Sequence, residues 1–385
     1  MKPKPDKTCV MIIAGEASGD HHGAHLVKAL KALDQDIFFC GIGGRAMQKA
    51  GVRNIVDAAT LSVVGLTEVL SKGVSIWQGL SKAKQLLKSL RPDLLILIDF
   101  PDFNLHVAGK AKKLGIPILY YISPQLWAWR AGRVKKIKRL VDHMAVILPF
   151  ELDFYQEHGV PATYVGHPLL DGDTPMADTG HAVDGSDKEI VIGLLPGSRE
   201  KEVIRNLPVM LSAAETIQSE QKQVKFIISQ APTVKKDFMD AIIAEHGSHV
   251  DHRVSTDQMG KVFKACRLVI AVSGTVTLEA AIWGIPMVII YQLSPLSYWL
   301  GRFLIRVEHI GLVNLIAGRR VVPELIQKDA SPANVARIVM ELLADDERLE
   351  KMKTGLAEAR AILGQAGASN KVAEIALGML HQREV

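Results

Sequence analysis

Three cysteines in 385 residues, and no apolar run approaching the ~20 residues that cross a bilayer, exclude several classes of protein at once. Cys9, Cys40 and Cys266 are far apart, odd in number and set in or beside apolar runs. They are expected as buried thiols in a reducing compartment and not as a disulfide framework. No arrangement of Cys and His has zinc-site spacing. His21 and His25 share a face of an expected helix but lack a third ligand nearby in sequence, so no metal is expected. The charged start, Lys2 to Lys7, leads only into the short run Val10 to Ala14, which reads as a strand and not as a signal peptide, and a cytoplasmic location follows. No period of roughly 20 to 50 residues repeats, against a solenoid. The net charge of +5 does not by itself argue for nucleic acid, and none is expected as a partner.

What is present is an ordinary globular composition, 48% hydrophobic and 23% charged, in a chain long enough for two sizeable cores. Short apolar runs alternate with amphipathic stretches in the first half, with strands expected at Cys9–Ala14, Ile37–Cys40, Leu94–Ile98, Ile118–Ile122 and Met144–Leu148. From Asp171 to Lys188 the apolar content nearly vanishes, as in an interdomain connection. The alternation then restarts, with strands expected at Ile190–Leu195, Val224–Ser229, Leu268–Val272 and Met287–Tyr291. Such patterns give parallel sheets wrapped by helices, so the class is α/β, with a cleft expected where the carboxyl ends of two open sheets face each other. The end is helical: Ser331-Pro332 resembles a cap with proline in the first turn, and Val335, Ile338, Val339, Leu342 and Leu343 form one apolar face. The expected division is an N-terminal domain at 1–172, a linker at 173–188, a C-terminal domain at 189–362, and a last helix at 363–385 that crosses back to the first domain.

Two strand-to-helix turns in the second half, Pro196-Gly197-Ser198-Arg199 and Ser273-Gly274-Thr275, look suited to a nucleotide diphosphate. Such turns point free backbone N–H groups at an anion, small residues admit it, and Arg199 adds positive charge. Glu279, downstream of Thr277, is placed to accept hydrogen bonds from ribose hydroxyls. Glycine and serine after a strand are also ordinary turn chemistry; the pair of turns, one with an arginine and one with a glutamate, favours a sugar nucleotide.

The first half carries different chemistry. Gly15-Glu16-Ala17-Ser18-Gly19-Asp20 is an acidic turn that suits a neutral, hydroxyl-rich ligand through Glu16 and Ser18; the alternative is that Ser18 and Asp20 only cap a helix. Gly41-Ile42-Gly43-Gly44-Arg45-Ala46 formally fits a dinucleotide fingerprint but follows the second strand, not the first, so no nicotinamide or flavin cofactor is expected. Asp99-Phe100-Pro101-Asp102-Phe103-Asn104 places two carboxylates at a sheet edge, where one is a candidate general base and Pro101 and the phenylalanines are expected to lower the local dielectric. Helix capping by Asp102 or Asn104 is the plainer reading. Trp127 and Trp129 sit beside a basic run from Arg130 to Arg139, readable as a solvated helix face or as attraction to anionic lipid. Val63, Val64, Leu66, Val69, Leu70 and Trp77 exceed what one buried stripe requires and are candidates for acyl-chain or membrane contact.

Taken together, GEASGD, GIGG, VVGLTEVL, IDFPDFN, YYISPQLWAWR, YVGHPLLD, LLPGSR, SGTVTLEAA and GLVNLIAGR resemble, in order and over nearly the whole chain, the lipid-A-disaccharide synthase family, inverting glycosyltransferases of the GT-B fold. Muramyl-peptide glucosaminyltransferases and UDP-GlcNAc epimerases share the SGTVTLEAA-type block but not the first-half set. The resemblance implies transfer of 2,3-diacylglucosamine from UDP-2,3-diacylglucosamine to the 6-hydroxyl of 2,3-diacylglucosamine 1-phosphate, at the cytoplasmic face of the inner membrane, without a cofactor. It implies donor contacts from Gly197, Ser198, Arg199, Ser273, Gly274, Thr275, Glu279 and Asn314, with Glu16 and Ser18 on the other wall. Inversion requires one base; Asp102 is the first choice and Asp99 the reserve. Phe100 stands where a smaller residue is common in the family. Another UDP-GlcNAc-type transferase and a non-catalytic lipid-binding protein are the alternatives, and self-association as a homodimer is left open.

Overall fold

The computed structural model describes residues 7–57, 69–129, 131–172, 189–293 and 308–382, which form two compact units. One comprises Met1–Asp171 with Gln365–Val385 and the other Gly172–Gly364. The linker expected at 173–188 lies outside the described residues.

The first unit is built on strands β1 (Cys9–Ala14), β2 (Phe38–Gly43), β3 (Arg53–Asp57), β4 (Leu94–Ile98), β5 (Ile118–Tyr121), β6 (His143–Val146) and β7 (Ala162–Tyr164). They form a parallel sheet in the order β3-β2-β1-β4-β5-β6-β7. Among its helices are α1 (Ala17–Leu33), α2 (Arg45–Ala50), α3 (Val69–Leu90), α4 (Pro101–Lys113), α5 (Val134–Leu140) and α6 (Pro149–Glu157). Both faces of the sheet are covered, which is why β1 is apolar at every position: Cys9, Met11 and Ile13 enter one core while Val10, Ile12 and Ala14 enter the other.

The second unit repeats the design with β8 (Ile190–Leu195), β9 (Val224–Ser229), β10 (His252–Ser255), β11 (Leu268–Val272), β12 (Met287–Tyr291) and β13 (Glu324–Ile326), ordered β10-β9-β8-β11-β12-β13 and all parallel. Its helices include α7 (Glu200–Glu220), α8 (Thr275–Ile282), α9 (Leu312–Ala317) and α10 (Pro332–Leu343). Val335, Ile338, Val339, Leu342 and Leu343 of α10 are buried, as their spacing predicts.

The last helix, α11 (Ala368–His381), belongs to the first unit, where Val372, Ala373 and Ala376 join the same core as Leu26, Val27 and Leu30 of α1. Its start is tied by one carboxylate. Asp171 accepts from the backbone N–H groups of Gly367 at 2.6 Å, Ala368 at 3.0 Å and Ser369 at 2.8 Å. The residue that ends the chain's first passage through this unit therefore grips the residues that begin its return.

Candidate active site

Both sheets reverse strand order once, between β1 and β4 in the first unit and between β8 and β11 in the second. In an open parallel sheet the crevice at such a reversal, beyond the carboxyl ends of the strands, is where ligands bind. The registers pair Ala14 with Ile98 and Leu195 with Ala271. Hence the turn with Glu16 and Ser18 lies beside the turn with Asp99 and Asp102, and the turn with Gly197, Ser198 and Arg199 lies beside the one with Ser273, Gly274 and Thr275.

In the first unit the backbone around the reversal is strained. Asp99 (φ 44°) and Phe100 (φ 47°) follow β4 in the left-handed region, and Ile122 (φ 63°) follows the neighbouring β5. Non-glycine residues there cost about 1–3 kcal/mol each and persist only where their surroundings over-determine them. The braces are present: Asn104 Nδ2 donates to Ile98 O at 3.2 Å and to Asp99 O at 2.6 Å, and the Tyr120 hydroxyl donates to Asp99 O at 2.6 Å. Phe100 stacks on Phe103 at 5.1 Å between ring centroids and covers Gly15, where a Cβ would lie 2.3 Å from the Phe100 ring. Glycine at 15 is what lets that ring lie flat across the neighbouring turn.

Asp102 occupies the first turn of α4. Its side chain is 73% exposed and meets Arg133 Nη1 at 2.7 Å. This corrects the expected low-dielectric enclosure: the aromatic rings pack on each other and on Gly15, leaving the carboxylate in solvent beside a guanidinium. The alternative of helix capping fails as well, since the N-cap of α4 is Phe100 and no side chain caps it. Glu16 stands half-buried at the N-cap of α1, and Ser18 is exposed in its first turn.

Asp20 caps a different helix from its own. Its carboxylate accepts from Gly44 N at 2.7 Å, Ala46 N at 2.9 Å and Met47 N at 3.0 Å, filling the N-terminus of α2 that a pyrophosphate would need. The last glycine of the fingerprint-like run, Gly44, thus serves a protein carboxylate. Nearby, Trp127 Nε1 donates to Glu151 Oε1 at 3.1 Å, while Glu151 Oε2 accepts from Ile147 N and Leu148 N. Burial pushes the Glu151 carboxyl up to about 7 despite these three donors.

In the second unit Gly197 takes φ +113°, turning the chain between β8 and α7, and Arg199 is the N-cap of that helix. Thr233 Oγ1 donates to Ser198 O at 2.5 Å and fixes the turn. Glu202, one turn into α7, accepts from Ser198 N at 3.0 Å and meets Arg199 at 3.2 Å. Gly274 is the N-cap of α8, Thr275 is exposed, and Ser273 Oγ donates to Ile310 O at 3.3 Å. Glu279 is half-buried with no partner among the described residues, and burial raises its pKa. A carboxylate held there without donors suits a ligand that brings hydroxyl groups.

Asn314 is held from within the second unit. It is fully buried; its Nδ2 donates to Val322 O at 2.9 Å and Glu324 Oε1 at 2.7 Å, and its Oδ1 accepts from Val321 N and Val322 N. All four hydrogen-bonding positions of the amide are engaged within the protein, bracing α9 against residues 321–324, which lead into β13. Of the residues expected to meet acyl chains, Val63, Val64 and Leu66 lie outside the described residues, Val69 and Leu70 open α3, and Trp77 is 69% exposed on that helix. Val134 and Ile137 of the basic run are buried, so its cations stand on the outer face of α5. With residues of α3 and α4 they line a groove of about 530 Å³ that includes Lys84, His106, Lys110, Lys113, Lys136 and Arg139. Among the described residues no helix is long and apolar enough to cross a membrane, and no group of three or more His, Cys, Asp or Glu is arranged to hold a metal ion.

Sequence reasoning misses Glu202, Thr233 and the Arg133–Asp102 pair. Glu202 has a visible signal, an acid in the first turn after a candidate anion site; the other two need the fold.

Residues 10–378 match the family model described as lipid-A-disaccharide synthetase. A lipid-A-disaccharide synthase of Geobacter metallireducens is 48% identical, covering 100% of each chain, and one of Nitrosococcus oceani is 46% identical over 96% of each. Among solved structures, a UDP-GlcNAc 2-epimerase of Neisseria meningitidis bound to UDP-GlcNAc aligns with a TM-score of 0.66 at 14% identity, covering 96% of this chain and 100% of the other. The glycotransferase of kitacinnamycin aligns at 0.62 and 15% identity, covering 98% and 100%. At such low identity these likenesses establish the GT-B-type fold.

Proposed function

The chain belongs to the lipid-A-disaccharide synthetase family, a family of glycosyltransferases, and from that membership we propose how its own residues carry the reaction. The substrates are UDP-2,3-diacylglucosamine and 2,3-diacylglucosamine 1-phosphate; the products are the β-1,6 disaccharide 1-phosphate and UDP. The observation that carries the residue assignment is the coincidence of the candidate turns with the two reversals of strand order.

Asp102 takes the proton of the acceptor's 6-hydroxyl. The freed oxygen attacks the anomeric carbon from the face opposite UDP, the bond from that carbon to the diphosphate oxygen breaks, and the configuration inverts in a single displacement. Charge grows on the leaving diphosphate, and the N–H groups of Ser198 and of the first turn of α8, with Arg199, are the donors that stabilise it. Glu279 accepts from the ribose hydroxyls. Asp99 is the reserve base; Glu16 and Ser18 contact sugar hydroxyls.

We place the protein peripherally on the cytoplasmic face of the inner membrane. Exposed Trp77 and the basic groove support this, since an exposed aromatic and a cluster of cations on one unit are the chemistry of attachment to an anionic bilayer. The deciding experiment is UDP release from UDP-2,3-diacylglucosamine, with and without the acceptor, in detergent containing a chelator. Acceptor-dependent release with disaccharide formation is expected. Tight binding of either acylated sugar without release would favour a lipid-binding protein instead.

A further inference from the structure

The groups assigned to the donor's diphosphate already hold an anion. Glu202 Oε2 accepts from Ser198 N at 3.0 Å, and its Oε1 lies 3.2 Å from Arg199 Nη1. A Cβ on Gly197 would stand 2.5 Å from Glu202 Oε2, so the carboxylate lies against the glycine whose missing side chain opens the turn. One oxygen on a backbone N–H and the other on a guanidinium is the pattern a phosphate would make there.

We propose that Glu202 is a resident competitor for the diphosphate, a residue that lowers the affinity of the donor turn for UDP and its sugar derivatives. The inference rests on the donor-site reading above. A phosphate oxygen and the Glu202 carboxylate cannot share the same N–H, and their charges repel. The carboxylate therefore has to leave as the donor arrives, and its side chain, 29% exposed in the first turn of α7, has solvent to rotate into. When UDP departs, the carboxylate returns and satisfies the same two donors. The turn is thus never left with unpaired groups, and the product is easier to release. With Thr233, Glu202 also braces the turn: it closes a ring from Ser198 through Arg199 back to the helix.

The test is calorimetric titration of UDP, and separately of uridine, into the wild-type protein, Arg199→Ala and Glu202→Gln. Glutamine keeps size and a hydrogen-bonding oxygen but removes the charge. Glu202→Gln should tighten UDP by about twofold to fivefold, the range for a partly exposed ion pair, and leave uridine, which lacks the diphosphate, unchanged. Arg199→Ala should weaken UDP. If Arg199→Ala weakens UDP while Glu202→Gln leaves it unchanged or weaker, Glu202 is no competitor and the inference falls. It falls equally if uridine and UDP change together, because the residue then acts only on the fold of the turn. If Arg199→Ala leaves UDP untouched, the donor-site reading fails and takes the inference with it.

Discussion

Asp102 and Glu151 are both carboxylates of the first unit, yet their surroundings push them toward opposite kinds of work. Asp102 is exposed beside Arg133, as the proposed role of base toward a substrate hydroxyl requires. Its replacement by alanine is expected to lower turnover by at least roughly a hundredfold while leaving UDP affinity nearly intact, because a base acts on the acceptor and not on the donor. Steady-state rates beside UDP titration check both halves; unchanged turnover would pass the role to Asp99. Glu151 is buried, and its carboxyl is raised to about 7. Proton loss near neutral pH should change the environment of the indole that donates to it, so fluorescence followed from pH 5 to pH 9 should show a transition near 7 that Trp127→Phe abolishes. Since burial raises this pKa above its unfolded value, Glu151 favours folding most below the ordinary carboxylate range, and that contribution is lost as pH rises through 7. Residue identity alone could not separate these two acids. Nor could it show that Asn314, polar and in a block typical of the family, spends all its hydrogen bonds inside the protein.

At the scale of elements, the strands that sequence reading finds and those it misses divide by position. The nine expected strands are the interior of the two sheets; β3, β7, β10 and β13, which it does not anticipate, are their four edges. Interior strands of a parallel sheet are buried on both faces and read as unbroken apolar runs, whereas edges such as Arg53–Asp57 and His252–Ser255 carry charged and polar residues. Only pairing with a neighbour makes them strands. Helix α11 depends in the same way on a distant residue. Burial by itself raises the Asp171 carboxyl, but the N–H groups of Ser369, Gly367 and Ala368 outweigh it and hold the pKa below the ordinary 3.8. Asp171→Ala should destabilise the first unit by about 1–2 kcal/mol, as loss of a helix cap does, and speed amide exchange at Gly367–Ser369. Because the folded pKa is lowered, this stabilisation is full above 3.8 and is lost as pH falls through the folded value, so the difference between variant and wild type should close in acid. Melting temperatures at pH 7 and pH 3 check the sign.

On the scale of the whole molecule, the proposed attachment to a lipid surface would draw on parts far apart in sequence: Trp77 and Lys84 of α3, Lys110 and Lys113 of α4, and Lys136 and Arg139 of α5. A double change, Lys136→Glu with Arg139→Glu, is expected to reduce sedimentation with phosphatidylglycerol vesicles several-fold at low salt and to flatten its salt dependence, while phosphatidylcholine vesicles show no difference. Equal sedimentation of variant and wild type would remove the groove from this role. By itself, the amino-acid sequence determined the α/β class, the interior strands, the family and the turns proposed to carry the chemistry, because each of these is written in local patterns: continuous apolar runs, glycine after a strand, and ordered blocks of residues. Tertiary structure alone decided which turns become neighbours, through the reversal of strand order at β1/β4 and β8/β11. It also decided which polar groups are already spoken for. Asp20 on α2, Asn314 under β13 and Glu202 on the donor turn all find partners that depend on how the chain is folded, and a hydrogen bond is set by the distance between atoms and not by the spacing of letters.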